Sequence, residues 1–170
     1  MIEKPLEFEK NVWERMIQAS EAGYPKEVCG LLFGKEGSPT VSRVEILSNI
    51  LEERFFSRLK ELAQAQGVSL PQSRMGRGGA FEFVIDPREH QRAVLKAAIE
   101  GFDQMGLFHS HPDHSPKPSA TDASQPMLAG WANVIVSVTQ GKVKDADKDI
   151  CSWRRETEDS PFQSQEIVVK

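Results

Sequence analysis

The run Gly106-Leu107-Phe108-His109-Ser110-His111-Pro112-Asp113-His114-Ser115-Pro116-Lys117-Pro118-Ser119-Ala120-Thr121-Asp122 reads as a strand, a proline-rich loop and the start of a helix, and it holds three of the chain's four histidines. Side chains two apart on a strand share a face, so His109 and His111 stand with Cα atoms roughly 6.5–7 Å apart, close enough to share one metal ion. The loop brings the chain back, so that Asp122 is placed to supply a third ligand. Three ligands and an open fourth position describe a catalytic zinc, whereas a structural zinc is closed by four. The residues also allow a plainer reading. A polar pair at a strand end needs no metal, and Ser119-x-x-Asp122 is a capping box in its own right. HExxH, paired CxxC and Pro-Cys-x-x-Cys segments are absent, which excludes a zincin, a zinc finger and a zinc deaminase.

The surrounding elements predict a mixed α/β chain. Val12, Trp13, Met16 and Ile17 mark an amphipathic helix over 9–22, ended by Gly23 and Pro25. The nearly all-apolar run 27–34 reads as a buried central strand, and the alternating run 39–47 as its hairpin partner. Leu51, Phe55, Leu59 and Leu62 share one helical stripe, while 69–80 follows neither period and reads as a surface loop. A strand over 81–85 leads to Asp86 and Pro87, the N-cap and first residue of a helix over 87–102. That helix turns Ala93, Val94, Ala97, Ala98 and Phe102 toward the core. Another helix begins near Ser119 and ends before Pro126; 131–138 is a strong strand, and 150–154 and 166–169 are weaker ones. One curved sheet flanked by helices accommodates all of them.

At 170 residues, 39% hydrophobic and 27% charged, the chain suits a single globular domain over residues 1–170. A net charge of −4 lacks the basic face that nucleic acid demands. Cys29 and Cys151 are too isolated for a disulfide framework, which favours a reducing compartment. Met1-Ile2-Glu3-Lys4-Pro5 has no apolar leader and no apolar run approaches 18 residues, so a cytoplasmic protein without membrane attachment is expected.

His109-x-His111, seven residues, Ser119, two residues and Asp122 resembles the H-x-H-x7-S-x2-D motif of the JAMM (MPN+) metalloproteases. Given an HxH, Ser and Asp at those offsets coincide by chance roughly once in a few hundred sequences. Pro25-Lys26-Glu27-Val28-Cys29-Gly30-Leu31-Leu32-Phe33-Gly34 is similar to the family's P-x-E-x-C-G-L-L-x-G strand, and Asn49 and 83–87 follow in the family's order. The resemblance covers about residues 6–140 and implies a compact prokaryotic JAMM/MPN domain of cytidine-deaminase-like α/β (α+β) architecture. It implies one catalytic Zn2+ held by His109, His111 and Asp122, with a bound water in the fourth place. Glu27 is then the general base, and Ser119 the donor to the tetrahedral oxyanion. Glu21 and Glu36 rival Glu27 on sequence alone, and His114 and Asp113 are weaker candidate ligands. A buried Cys29 is more often a core residue than a nucleophile, and His90 reads as surface.

The implied function is hydrolysis of the amide after the C-terminal glycine of a ubiquitin-like or sulfur-carrier protein with a Gly-Gly end. Bacterial members release cysteine from a sulfur carrier; archaeal and eukaryotic ones remove ubiquitin-like modifiers from lysine. Other readings are a phage-tail-type endopeptidase, a DNA-repair-associated relative or a non-catalytic MPN scaffold. The chain departs from compact members by an inserted helix and loop at about 51–80, read either as a lid or docking surface or as a plain surface helix. Within it, Arg77-Gly78-Gly79 resembles the end of a ubiquitin tail, although a flexible tether explains it as well.

Overall fold

The computed structural model describes residues 4–50, 57–58, 61–67, 83–124 and 127–170. In chain order the elements are β1 (Leu6–Phe8), α1 (Lys10–Gly23), β2 (Cys29–Lys35), β3 (Thr40–Val41), β4 (Arg43–Leu47), α2 (Pro87–Ile99) and β5 (Phe102–Pro112). They continue with α3 (Ala120–Ser124), β6 (Ala132–Val138), α4 (Ala146–Asp149), β7 (Ile150–Arg154), β8 (Gln163–Gln165) and β9 (Ile167–Val169). Among the described residues the main sheet has the order β4-β2-β5-β6-β7-β8. Within it β5 runs antiparallel to β2 and parallel to β6.

The central strands are apolar throughout because both faces of the sheet are covered. Leu32, Phe108, Val134 and Val136 meet Val12 and Met16 of α1 on one side. Leu31, Phe33 and Leu107 meet Ala93, Val94 and Ala97 of α2 on the other. Gly106 sits where β5 and β6 touch: a Cβ there would lie 2.0 Å from the Ala132 carbonyl oxygen. Asp86 caps α2 as anticipated, its Oδ1 accepting from Arg88 N at 2.8 Å, with Pro87 as the first helical residue.

Several expectations are corrected. The run 39–47 is not one strand. It breaks at Ser42, so that β4 pairs with β2 while β3 pairs with β1 in a second, all-parallel sheet of order β3-β1-β9. The α2 helix stops at Ile99, because Gly101 turns the backbone to φ 81 and Phe102 opens β5 instead. Ala98 faces solvent. The described end of the expected strand at 81–85 makes a single bridge, Ile85 to Asn49. Of the expected helix near 51–62, residues 61–65 are helical, but Leu62 is 52% exposed rather than buried. The rest of that stripe, the 69–80 loop and Arg77-Gly78-Gly79 lie outside the described residues.

Candidate metal centre

The C-terminal half of β5 carries His109 and His111 on the same face as Leu107, and α3 returns Asp122 to the same point. All three are buried. The two Nε2 atoms are 3.1 Å apart, and Asp122 Oδ1 and Oδ2 lie 3.0 Å from His109 Nε2 and 3.4 Å from His111 Nε2. A tetrahedral divalent ion with bonds of about 2.0–2.1 Å holds its donors roughly 3.3 Å from one another. The three side chains therefore fit a metal: once the Nε2 protons are released, two neutral imidazoles and a carboxylate present lone pairs to one point.

Local structure explains the convergence. His111 Nδ1 lies 2.8 Å from the Ser115 carbonyl, which accepts its proton and leaves Nε2 free to ligate. The proline-rich loop is pinned by Trp153 Nε1 donating to Pro116 O at 2.8 Å and Ser137 Oγ donating to His114 O at 2.7 Å. Ser119 and Asp122 bond reciprocally: Ser119 N donates to Asp122 Oδ2 at 2.6 Å, and Asp122 N donates to Ser119 Oγ at 3.1 Å. Burial pushes the Asp122 carboxyl up, but hydrogen bonds from His109, His111 and Ser119 outweigh it and hold the group well below the usual carboxylate range. Burial lowers His109 and favours its neutral form. For His111 the same burial is overcome by Asp122, the Ser115 carbonyl and the nearby Glu27 charge, and its basicity rises.

Glu27 stands at the mouth of β2, only 6% exposed, with its charge felt at His111. Asn49 Nδ2 donates to Glu27 O at 3.1 Å, and Val28 N donates to Ser110 Oγ at 2.8 Å, so the backbone on both sides of the carboxylate is tied down. The rivals lie elsewhere. Glu21 accepts from Val143 N and pairs with Lys142, and Glu36 is exposed in a turn. Asp113 is held by the Tyr24 hydroxyl and Gln140 N, and the described cluster of ligand atoms contains neither it nor His114. His90 is half-buried against Gln104 at 2.9 Å rather than on the surface. Burial pushes the Cys29 thiol up to about 12, so it is no thiolate at neutral pH.

Of four further residues around the centre, sequence reasoning passed over Asn133 and Arg155 and quoted Phe83 and Asn49 only as part of the family's order. Phe83 stacks on His109 with ring centroids 4.7 Å apart. Asn133 borders the centre from β6, and Asn49 joins Val84 N to the Glu27 backbone. Arg155, 8% exposed, donates to Ala123 O at 2.6 Å and lies 4.2 Å over Phe162, holding the end of α3 in place. For Asn133 the available signal was a long amide in the mostly apolar run 132–138. An apolar groove of about 580 Å³, lined by Leu31, Phe83, Leu107, Met127, Leu128 and Trp131, adjoins the centre and shares Phe83, Leu107 and Met127 with it.

Residues 9–156 match the family model described as prokaryotic homologs of the JAB domain. The chain is 30% identical over 113 residues to a desampylase of Haloferax volcanii, covering 66% of this chain and 63% of that protein. It is 32% identical over 97 residues to a desampylase of Pyrococcus furiosus, covering 56% and 49%. It thus spans from about half to under two thirds of the length of these curated relatives. Among solved structures, one of a Desulfitobacterium hafniense protein superposes with a TM-score of 0.68 at 25% identity, covering 96% of this chain and 92% of that one. A JAB1/MPN domain protein from Archaeoglobus fulgidus gives 0.51 at 16% identity over 97% and 99%, a likeness of fold alone. No helix among the described residues is long and apolar enough to cross a membrane.

Proposed function

This chain belongs to the family of prokaryotic homologs of the JAB domain, and from that membership we propose that it is a zinc-dependent isopeptidase or amidohydrolase. Its substrate is the amide after the C-terminal glycine of a ubiquitin-like or sulfur-carrier protein. The observation that carries the reading is the convergence of His109, His111 and Asp122 to 3.0–3.4 Å, with the buried Glu27 beside them. The desampylase relatives support an isopeptidase, and the adjoining apolar groove suits an extended peptide tail.

His109 and His111 would hold zinc through Nε2 and Asp122 through a carboxylate oxygen. Zinc in such a site supplies a Lewis acid at the reacting carbonyl and lowers the pKa of water toward 7. The remaining work falls to the chain. Glu27, fixed by the Asn49 and Ser110 contacts, takes the proton from the attacking water and passes it to the departing amine. Ser119 Oγ accepts from Asp122 N, which leaves its own proton free to donate to the developing oxyanion. Buried Phe83 and Met127 help keep bulk solvent from the histidines.

The test is metal analysis of wild type and Glu27→Gln, with a sulfur-carrier–cysteine adduct and a ubiquitin-like lysine conjugate as substrates. Wild type is expected to carry one zinc per chain. Glu27→Gln should keep the zinc and lose about 10²–10⁴-fold in kcat, the span of a general base. Wild type without stoichiometric metal would refute the proposal, and the preferred adduct identifies the leaving group.

A further inference from the structure

Two buried polar atoms near the centre lack hydrogen-bond partners: His109 Nδ1 and Asn133 Oδ1. Such orphans are rare in native interiors and call for an explanation. His109 is 1% exposed and Asn133 3%. On β6, Val134, Val136 and Val138 face the α1 core. Asn133 is therefore directed to the opposite, ligand-bearing face. It pairs with Leu107 in the parallel register, one diagonal step from His109, which pairs with Ile135. Both residues border one cavity of about 10 Å³, whose other walls are Phe83, Leu107, Met127, Phe162 and Asp122. That volume admits at most about one water. The walls other than Asp122 offer no side-chain acceptor, and the Asp122 oxygens are already engaged by both Nε2 atoms and Ser119 N. His111 supplies the precedent, since its Nδ1 proton goes to the Ser115 carbonyl.

We infer that Asn133 is the positioning residue of His109: its Oδ1 accepts the Nδ1–H, which fixes the ring and commits Nε2 to the metal. The inference rests on the metal reading above. A metal-bound histidine whose other nitrogen is held keeps its tautomer and its basicity, and loss of such a partner weakens metal binding about 10–100-fold. This gives a function to a buried amide in a mostly apolar strand, where an apolar residue of similar volume would serve the sheet equally well.

Zinc affinity is measured by competition with a chromophoric chelator for wild type, Asn133→Ala, Asn133→Leu and Asn133→Asp, alongside NMR of His109 in the zinc-loaded wild type. Asn133→Ala and Asn133→Leu are expected to bind zinc about 10–100-fold more weakly. Asn133→Asp, which keeps the acceptor, should recover binding. In wild type, His109 should ligate through Nε2, with its Nδ1 proton protected from solvent exchange. Zinc affinity within about twofold of wild type in Asn133→Ala and Asn133→Leu overturns the inference, as does ligation through Nδ1 or a freely exchanging Nδ1 proton. The wild-type spectrum decides the matter even if the apolar variants do not fold. A wild type that binds no zinc removes the metal reading itself; normal wild-type binding with unaffected variants removes only the role of Asn133.

Discussion

Ser119 illustrates how one side chain serves two ends. Its Oγ accepts the Asp122 amide proton while Asp122 Oδ2 accepts from Ser119 N, so the pair closes the start of α3 and aims the carboxylate at the histidines. The hydroxyl proton is not consumed by that bond, and Ser119 is exposed. Ser119→Ala should therefore lose the cap, about 0.5–2 kcal/mol by thermal unfolding, and separately about 10²–10³-fold in kcat with zinc retained. Wild-type kcat in this variant would leave Ser119 a cap and nothing more. The sequence exposed Ser119, His109, His111 and Asp122 because ligands and caps need fixed residue types at fixed local offsets. Asn133 and Arg155 were not legible in the same way. Their partners, His109 and Ala123, lie more than twenty residues away and meet them only once β6 and β7 have joined the sheet.

At the scale of elements, the centre depends on the contact between β5 and β6. The parallel pairing runs from Gly106 opposite Ala132 to Pro112 opposite Val138, and it sets Asn133 opposite Leu107, His109 opposite Ile135 and His111 opposite Ser137. Gly106→Ala would drive a methyl against the Ala132 carbonyl. The expected cost is about 3 kcal/mol, as for overpacking against a backbone that cannot yield, read from the shift in urea midpoint. A variant with unchanged midpoint would show that the two strands can part without loss. The strands most legible by their own pattern, β2 and β6, are seven residues long and buried almost throughout. β1 and β3, three and two residues long, carry no period of their own. Only pairing defines them. Phe102 shows the same limit, since an apolar residue just past a helix satisfies the helical pattern until Gly101 is seen to turn the chain.

Across the whole molecule, the main sheet separates two cores, one under α1 and one under α2, and the small sheet closes the first of them. Glu7 joins the strands of that small sheet: its Oε2 accepts from Thr40 Oγ1 at 2.6 Å and pairs with Lys170 Nζ at 2.7 Å. The Lys170 bond foremost, and Thr40 after it, hold the Glu7 carboxyl below its ordinary value of 4.5. A depressed folded pKa contributes stability that is present above 4.5 and is lost as pH falls through the folded value. Wild type should therefore melt above Glu7→Gln at neutral pH, with the gap closing as acid carries Glu7 through its folded value. Calorimetry from pH 7 to 3 checks this, and a constant gap would deny Glu7 any part in acid sensitivity. The three candidate ligands, in contrast, all fall within residues 109–122, whereas Glu27 comes from the segment that leads into β2. Capture of the ion and turnover are thus separable traits: a chain that has lost only the Glu27 carboxylate would still purify with a full complement of metal while being inert, and metal content would overcount the working molecules in any preparation.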